Sequence, residues 1–251
     1  MVSMIMHGCN GRMGQMIADI VSTDPDIEIV AGVDINTEQR STFGVVDSID
    51  KVSEKADVVV DFGHASAVDK VIDWCVEKNI PLVECTTGLS DETIAKLNDA
   101  SKKTAMFKSA NMSLGINIIQ KVLSEVSSKL VDAGFDVEIV EKHHRTKLDA
   151  PSGTALALAD SVNDSLASRK DYVFDRSGRR MVRPDTEIGI SAVRGGTIVG
   201  DHDVIFAGRD EVVTFSHVAY SRAVFAKGAV EAAKYVSGKG PGMYSMSDVL
   251  G

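Results

Sequence analysis

The chain is short of several things, and each shortage excludes a class of protein. Aromatic residues make up 5% of it, with a single tryptophan. No stretch approaches the roughly 20 unbroken apolar residues that a bilayer-spanning helix needs. Cysteine is scarce: Cys9, Cys75 and Cys85 are odd in number and lack metal-ligand spacing, which argues against a disulfide framework or a zinc site. They read as reduced thiols, with Cys9 expected to be accessible because it lies in a glycine loop. Positive charge is also in deficit, 27 Lys and Arg against 36 Asp and Glu. That balance lacks the basic excess of a nucleic-acid binder. The opening Met1-Val-Ser-Met-Ile-Met6 lacks the basic start and long apolar run of a signal peptide. It reads as a first strand, and the expected location is the cytoplasm.

What is present is a regular alternation. Short apolar runs at 4–6, 27–33, 58–62, 82–85 and 104–107 read as strands. Helical patterns at 13–23, 65–78 and 91–102 fall between them. Strand–helix alternation predicts a Rossmann-type, doubly wound parallel sheet of α/β class. Beyond about residue 112 the pattern changes. Helices are expected at 114–130 and 154–166, a strand at 137–140, and an exposed polar loop at 168–185. Strands at 187–193, 197–206 and 211–218 follow in succession, with turns at Gly195-Gly196 and Gly208-Arg-Asp210. This predicts a second α+β domain with a mixed or antiparallel sheet. A last amphipathic helix spans 223–236.

His7-Gly-Cys-Asn-Gly-Arg-Met-Gly14 lies between the first strand and first helix. Its G-x-x-G-x-x-G spacing is a variant of the dinucleotide fingerprint. Gly8 suits a tight turn, Gly11 a close approach to pyrophosphate, and Gly14 close packing of helix on sheet. The helix N-terminus offers free N–H groups to phosphate. Asp34, at the end of the second strand, is placed to accept ribose hydroxyls. A carboxylate there repels a 2′-phosphate and Ile35 offers no compensating base, so NADH is favoured. NADPH stays open, with Arg12 the base that could meet its extra phosphate. A purely structural turn is the competing reading. The loops Asp61-Phe-Gly-His64 and Glu84-Cys-Thr-Thr-Gly88 sit at strand ends where ligands bind. His64 by itself reads as a surface or helix-capping residue.

Glu141-Lys-His-His-Arg-Thr-Lys147 follows the strand at 137–140 and leads into Leu-Asp-Ala-Pro-Ser-Gly-Thr154. The cations and histidines form one anion site. Ser152, Gly153 and Thr154 mark a helix start and form another. A small dicarboxylate could bridge the two, and a histidine could move a proton near neutral pH. Adjacent histidines on a strand face opposite ways, so no metal site is expected. A solvated basic loop is the alternative.

These residues together resemble the 4-hydroxy-tetrahydrodipicolinate reductase (dihydrodipicolinate reductase) family of lysine biosynthesis. The resemblance rests on Gly8…Gly11-Arg-Met-Gly14, Thr86-Thr-Gly88, Ala110-Asn-Met-Ser113, Glu141–Thr154, Arg194-Gly-Gly-Thr-Ile-Val-Gly-Asp-His202 and Ser221-Arg222. It implies NAD(P)H-dependent reduction of a cyclic imine dicarboxylate to tetrahydrodipicolinate. By position, it makes His143 and Lys147 the candidate proton donors, with Lys147 alternatively a carboxylate ligand. It gives His144, Ser152, Gly153 and Thr154 to the substrate carboxylates. Gly8, Asn10, Gly11, Arg12 and Met13 would line the pyrophosphate loop, with Asp34 on the ribose. Phe62, Cys85, Thr87, Gly88, Ala110, Asn111 and Met112 would border the nicotinamide. The resemblance also implies a dinucleotide-binding domain of residues 1–112 and 223–251, a substrate domain of 113–222, and a homotetramer built through the latter's sheet. Cys85, Met112 and Ile35 depart from the family's common residues.

Overall fold

Val58, Val59 and Val60 are all completely buried. Three consecutive apolar residues without exposure require a strand covered on both faces, as in a parallel sheet between helix layers. The computed structural model describes all 251 residues. In chain order its elements begin β1 (Val2–His7), α1 (Arg12–Val21), β2 (Ile27–Val33), β3 (Gly44–Val46), β4 (Val58–Asp61), α2 (Ala65–Lys78), β5 (Leu82–Glu84), α3 (Asp91–Ala100) and β6 (Ala105–Lys108). There follow α4 (Leu114–Asp132), β7 (Asp136–His143), α5 (Gly153–Asn163), β8 (Asp171–Val173), β9 (Glu187–Arg194), β10 (Gly200–Ala207) and β11 (Val212–Ala219). The chain closes with α6 (Ala223–Val236), β12 (Gly242–Tyr244) and the short α7 (Met246–Leu250). No helix is long and apolar enough to cross a membrane.

Two compact units result, Met1–Ser113 with Ala223–Gly251, and Leu114–Arg222. The first holds a parallel seven-stranded sheet in the order β12-β6-β5-β4-β1-β2-β3. It is a Rossmann-type doubly wound sheet. The order reverses between β1 and β4, so a crevice opens outside their C-terminal ends. The glycine loop leaves β1 there, and the loops after β4 and β5 lie beside it. Helices α2 and α3 cover one face, where Ile5, Val59, Leu82 and Met106 share a core with Val68, Val71, Ile72 and Leu97. The short strands β3 and β12 at the sheet's two edges carry too few residues to show a period.

The second unit holds a five-stranded mixed sheet, β11-β10-β7-β9-β8. One face packs on α4 and α5 through Val137, Ile139, Ile190, Val204 and Phe206. Three expectations are corrected here. β9 and β10 are not hairpin neighbours across Gly195-Gly196, because β7 lies between them, parallel to β9 and antiparallel to β10. Only β10 and β11 form the expected hairpin. Residues 168–185 are not simply an exposed loop. They contain β8, and Arg176 and Arg183 fold back onto Glu138, Glu187 and Asp136 at 2.6–2.9 Å. Finally, β7 extends through Glu141, Lys142 and His143, so these residues belong to the strand. Its strict alternation buries Glu141 and His143 and turns Lys142 outward.

Candidate active site

The glycine loop is shaped by backbone. Gly8 takes φ +77°, and a Cβ there would stand 2.7 Å from the Phe62 carbonyl oxygen. A Cβ on Gly14 would lie 2.3 Å from the Gly8 oxygen, so only glycine lets α1 begin this close to the loop. Gly11 is the N-cap of α1 and supplies no side-chain cap, which leaves first-turn N–H groups for an anion. The cradle therefore fits a pyrophosphate. Asp34 Oδ2 accepts the Asn10 N–H at 2.9 Å, and its Oδ1 accepts the Asn36 N–H at 3.0 Å. The Asn10 amide donates to the carbonyls of Asn36 and Glu38. Asn10 thus ties the loop to the segment after β2, with its backbone N–H and its side-chain amide both engaged. Arg12 is exposed, and Ile35 is 97% exposed. Cys9 corrects the expectation of access. It is fully buried against Gly32, and burial with the nearby Asp34 pushes its thiol up to about 11.

A cleft of about 470 Å³ opens beside this loop within the same unit. Met13, Phe62, Cys85, Thr87, Gly88, Ala110, Asn111 and Met112 all line it, as do Glu84, Thr86, Lys108 and Phe225. Gly228 lets α6 pack directly on the Met112 backbone, because a Cβ there would collide with the Met112 carbonyl oxygen. His64 lies outside the cleft as the N-cap of α2, its ring accepting the Ser66 N–H.

In the second unit the centre is Glu141, a residue that sequence reasoning did not single out. Its buried carboxylate accepts Arg194 on both oxygens at 2.6 and 2.7 Å, the Ser152 N–H at 3.0 Å, and His143 Nδ1 at 2.6 Å. Burial alone would raise its pKa, but the hydrogen bonds of Arg194, His143 and Ser152 outweigh burial and hold it below the usual range. His143 is 8% exposed. Burial, the largest influence, lowers its pKa; Glu141 raises it, Lys147 and Arg194 lower it, and the net shift is downward. Its Nε2 faces Gly200, where a Cβ would stand 3.0 Å away. His202 meets the His143 ring edge-on at 5.1 Å.

Ser152 is buried as the N-cap of α5. Its Oγ accepts the Ala155 N–H at 3.1 Å and shares a hydrogen bond with His202 Nε2 at 3.0 Å. Gly153 is exposed and Thr154 half-buried beside it. His144 is half-buried and bonds Thr146 Oγ1 at 2.8 Å. Lys147 pairs with Asp149 at 2.8 Å. The structure thus brings His143 and Ser152 onto one buried network, with Glu141, Arg194 and His202 as its unpredicted members. His144 and Lys147 stand outside that network.

Comparison with known proteins identifies the family. The pattern described as dihydrodipicolinate reductase, N-terminus, matches residues 2–112, and the corresponding C-terminus matches 115–250. The 4-hydroxy-tetrahydrodipicolinate reductase of Caldanaerobacter subterraneus subsp. tengcongensis is 49% identical, covering 100% of this chain and 98% of that protein. The one from Clostridium tetani is 48% identical, over 100% and 97%. Among solved structures, a dipicolinate-bound dihydrodipicolinate reductase from Paenisporosarcina sp. TG-14 superposes with a TM-score of 0.80 at 26% identity, covering 98% of this chain and 97% of that one. The chain belongs to the dihydrodipicolinate reductase family. It is an oxidoreductase of the diaminopimelate and lysine pathway that uses NAD(P)H and acts on a small dicarboxylate.

Proposed function

We propose that His143 supplies the proton and Lys147 holds a carboxylate as 4-hydroxy-tetrahydrodipicolinate, dehydrated to the conjugated imine, is reduced to tetrahydrodipicolinate. NAD(P)H supplies the hydride when bound. Hydride addition to the conjugated imine leaves an enamine-type anion that needs one proton. The observation that carries the assignment is the Glu141–His143 contact, closed from behind by Arg194. A buried carboxylate on Nδ1 orients the ring and stabilises its cation, so Nε2 is the nitrogen left for transfer. Burial keeps free His143 largely neutral, and a dianionic substrate raises its proton affinity. Lys147 has no such orienting partner. Its ion pair with Asp149 is exchangeable for a substrate carboxylate.

The second carboxylate lies at the α5 N-terminus, on Gly153 and Thr154, with His144 beside it. Ser152 sets the helix start from behind. Pyrophosphate rests on Gly8, Gly11, Arg12 and Met13, with Asn10 bracing the loop and Asp34 on the ribose. The nicotinamide takes the cleft of Phe62, Cys85, Thr87, Gly88, Ala110, Asn111 and Met112. NADH is the favoured cofactor. The first unit is the dinucleotide-binding domain and the second the substrate domain.

The helix-free face of the second sheet exposes Val193, Val212 and Val218. These exposed valines, beside the charged end of the face that Arg176 and Arg183 cover, support a homotetramer assembled through it. One assay tests the reaction: substrate generated in situ by the upstream synthase, with NADH absorbance followed. Absence of oxidation with substrate demonstrably present overturns the reading. Sedimentation of a Val218→Asp variant tests the assembly; an unchanged tetramer counts against this face.

A further inference from the structure

Strand register sets four titratable residues in one row. His7 pairs with Asp61, Asp61 with Glu84, and Glu84 with Lys108, across β1, β4, β5 and β6. Two residues back, Ile5, Val59, Leu82 and Met106 form an apolar row under α2 and α3. Strand alternation puts both rows on one face. The polar row therefore caps that core at the ligand-binding ends of the strands, and Glu84 and Lys108 border the cleft.

The middle of the row is two carboxyl groups side by side, both wholly buried. Asp61 Oδ1 accepts from His7 Nδ1 at 2.5 Å and from the Gly63 N–H at 2.7 Å. Glu84 Oε1 accepts from the Thr86 N–H at 2.6 Å. The remaining oxygens, Asp61 Oδ2 and Glu84 Oε2, are buried without a donor. Two such orphans on register neighbours are costly as a pair of anions. One hydrogen between them satisfies both. Asp61 Oδ1 accepts two donors and Glu84 Oε1 one, which leaves Glu84 the less satisfied carboxyl of the two. Burial and the neighbouring Asp61 push the Glu84 carboxyl up to about 8, against the pull of Thr86 and Lys108.

We propose that Glu84 donates its carboxyl hydrogen to Asp61, and that the pair's single negative charge beneath the cleft favours the oxidised, cationic nicotinamide over the reduced one. The inference rests on the placement of nicotinamide in that cleft. The pair acts through its field and touches neither ring nor substrate. A nicotinamide that gives up hydride becomes a cation, so a fixed buried anion stabilises the oxidised side. Loss of the Glu84 proton doubles the charge and strengthens the preference. The other groups facing the pair are His7 from β1, Lys108 from β6, and the thiols of Cys75 and Cys85. Desolvation and the two carboxylates push both thiols well above their usual range, so they stay uncharged while Glu84 titrates.

Calorimetric binding of NADH and NAD+ from about pH 6.5 to about pH 9.5 tests this on the wild type and on Glu84→Gln. The Gln amide still donates to Asp61 but does not ionise. In the wild type, the ratio Kd(NAD+)/Kd(NADH) falls about three- to tenfold across the range. In the variant it stays flat at the wild type's low-pH value. A flat wild-type ratio, or an equal fall in the variant, overturns the proposal. Infrared titration of the wild type needs no variant: a protonated-carboxyl band present at neutral pH disappears as pH rises, and its absence overturns the shared proton. An Ala110→Trp variant, which fills the cleft, distinguishes the other failure. If NADH binds that variant as tightly as the wild type, the placement of nicotinamide falls, while the infrared band still decides the proton pair.

Discussion

Arg194 closes both carboxylate oxygens of Glu141, Nη2 on Oε1 at 2.6 Å and Nη1 on Oε2 at 2.7 Å. The fork spends two donors on a charge with no exposed surface, and one of those oxygens also holds His143. Removing one partner of a buried ion pair leaves the other uncompensated, at about 3–5 kcal/mol. Arg194→Met is therefore expected to lose stability on that scale in chemical denaturation. Arg194→Lys recovers only part of it, because an ammonium lacks the planar fork. A Met variant within about 1 kcal/mol of wild type would show that the pair contributes little.

As the proposed proton donor, His143 must be charged, so activity falls as pH rises through its pKa. In the free enzyme that pKa lies below the ordinary histidine value, first because of burial. The alkaline limb of kcat/KM thus falls below about pH 6.5. The limb of kcat lies at higher pH, because bound dianion raises the imidazole. His143→Gln removes the limb and lowers kcat by about two orders of magnitude. Lys147→Met raises KM more than it lowers kcat. Coincident limbs, or a Lys147 variant that loses only kcat, would reverse the two roles.

Much of this site is legible in the chain. Gly8 and Gly14 stand out because each answers a backbone demand that no other residue meets, and Gly11 by its spacing between them. His143 and Lys147 stand out as titratable groups crowded before a helix start. Glu141 does not, although it begins the same motif, because its meaning comes from Arg194, 53 positions away. The strand β7 reads four residues too short at its start and end together because Glu-Lys-His looks like loop. Only the pairing of Glu141 and His143 with inward partners lets polar residues continue a buried face. The Asp61–Glu84 contact is invisible for a similar reason: register across separate βα units creates it, and no local period encodes register.

His202 makes the fold acid-sensitive above the range where carboxylates titrate. Burial, then His143, pushes its pKa down to about 4. A depressed histidine is neutral in the folded state while the unfolded chain takes up a proton. Its stabilisation is full above about pH 6.5 and is lost as pH falls toward about 4. His202→Gln keeps a hydrogen-bond partner for Ser152 and does not titrate. Its melting temperature should fall less than the wild type's between about pH 7 and about pH 4.5. Parallel curves would mean that His202 is already protonated in the folded protein.

Gly14→Ala tests the nucleotide cradle. The added methyl meets backbone, the Gly8 oxygen at 2.3 Å and Cys9 Cα at 2.6 Å, so no side-chain rotation relieves it. Either α1 or the loop must move, and the first-turn N–H groups move with it. NADH affinity should drop at least about tenfold, roughly 1.4 kcal/mol or more, with substrate-analogue binding little changed. Equal loss of both in calorimetry would point to general unfolding instead.

The proposed preference for NADH turns on Asp34 and Ile35. Each Asp34 oxygen already accepts one backbone N–H, from Asn10 and from Asn36, so the carboxylate is fixed as a charge at the end of β2. A 2′-phosphate brought there meets that charge, and Ile35, almost wholly exposed, offers nothing to offset it. Ile35→Arg adds a guanidinium suited to phosphate. It should raise kcat/KM for NADPH at least about tenfold, with little change for NADH and with a gain that fades in salt. Asp34→Ala is the instructive contrast. It removes the repulsion but also the acceptor that holds the Asn10 N–H, so the loop loosens and both cofactors bind worse. Improved NADPH use by Asp34→Ala with NADH unaffected would mean that Asp34 only repels, and that Asn10 needs no anchor to shape the cradle.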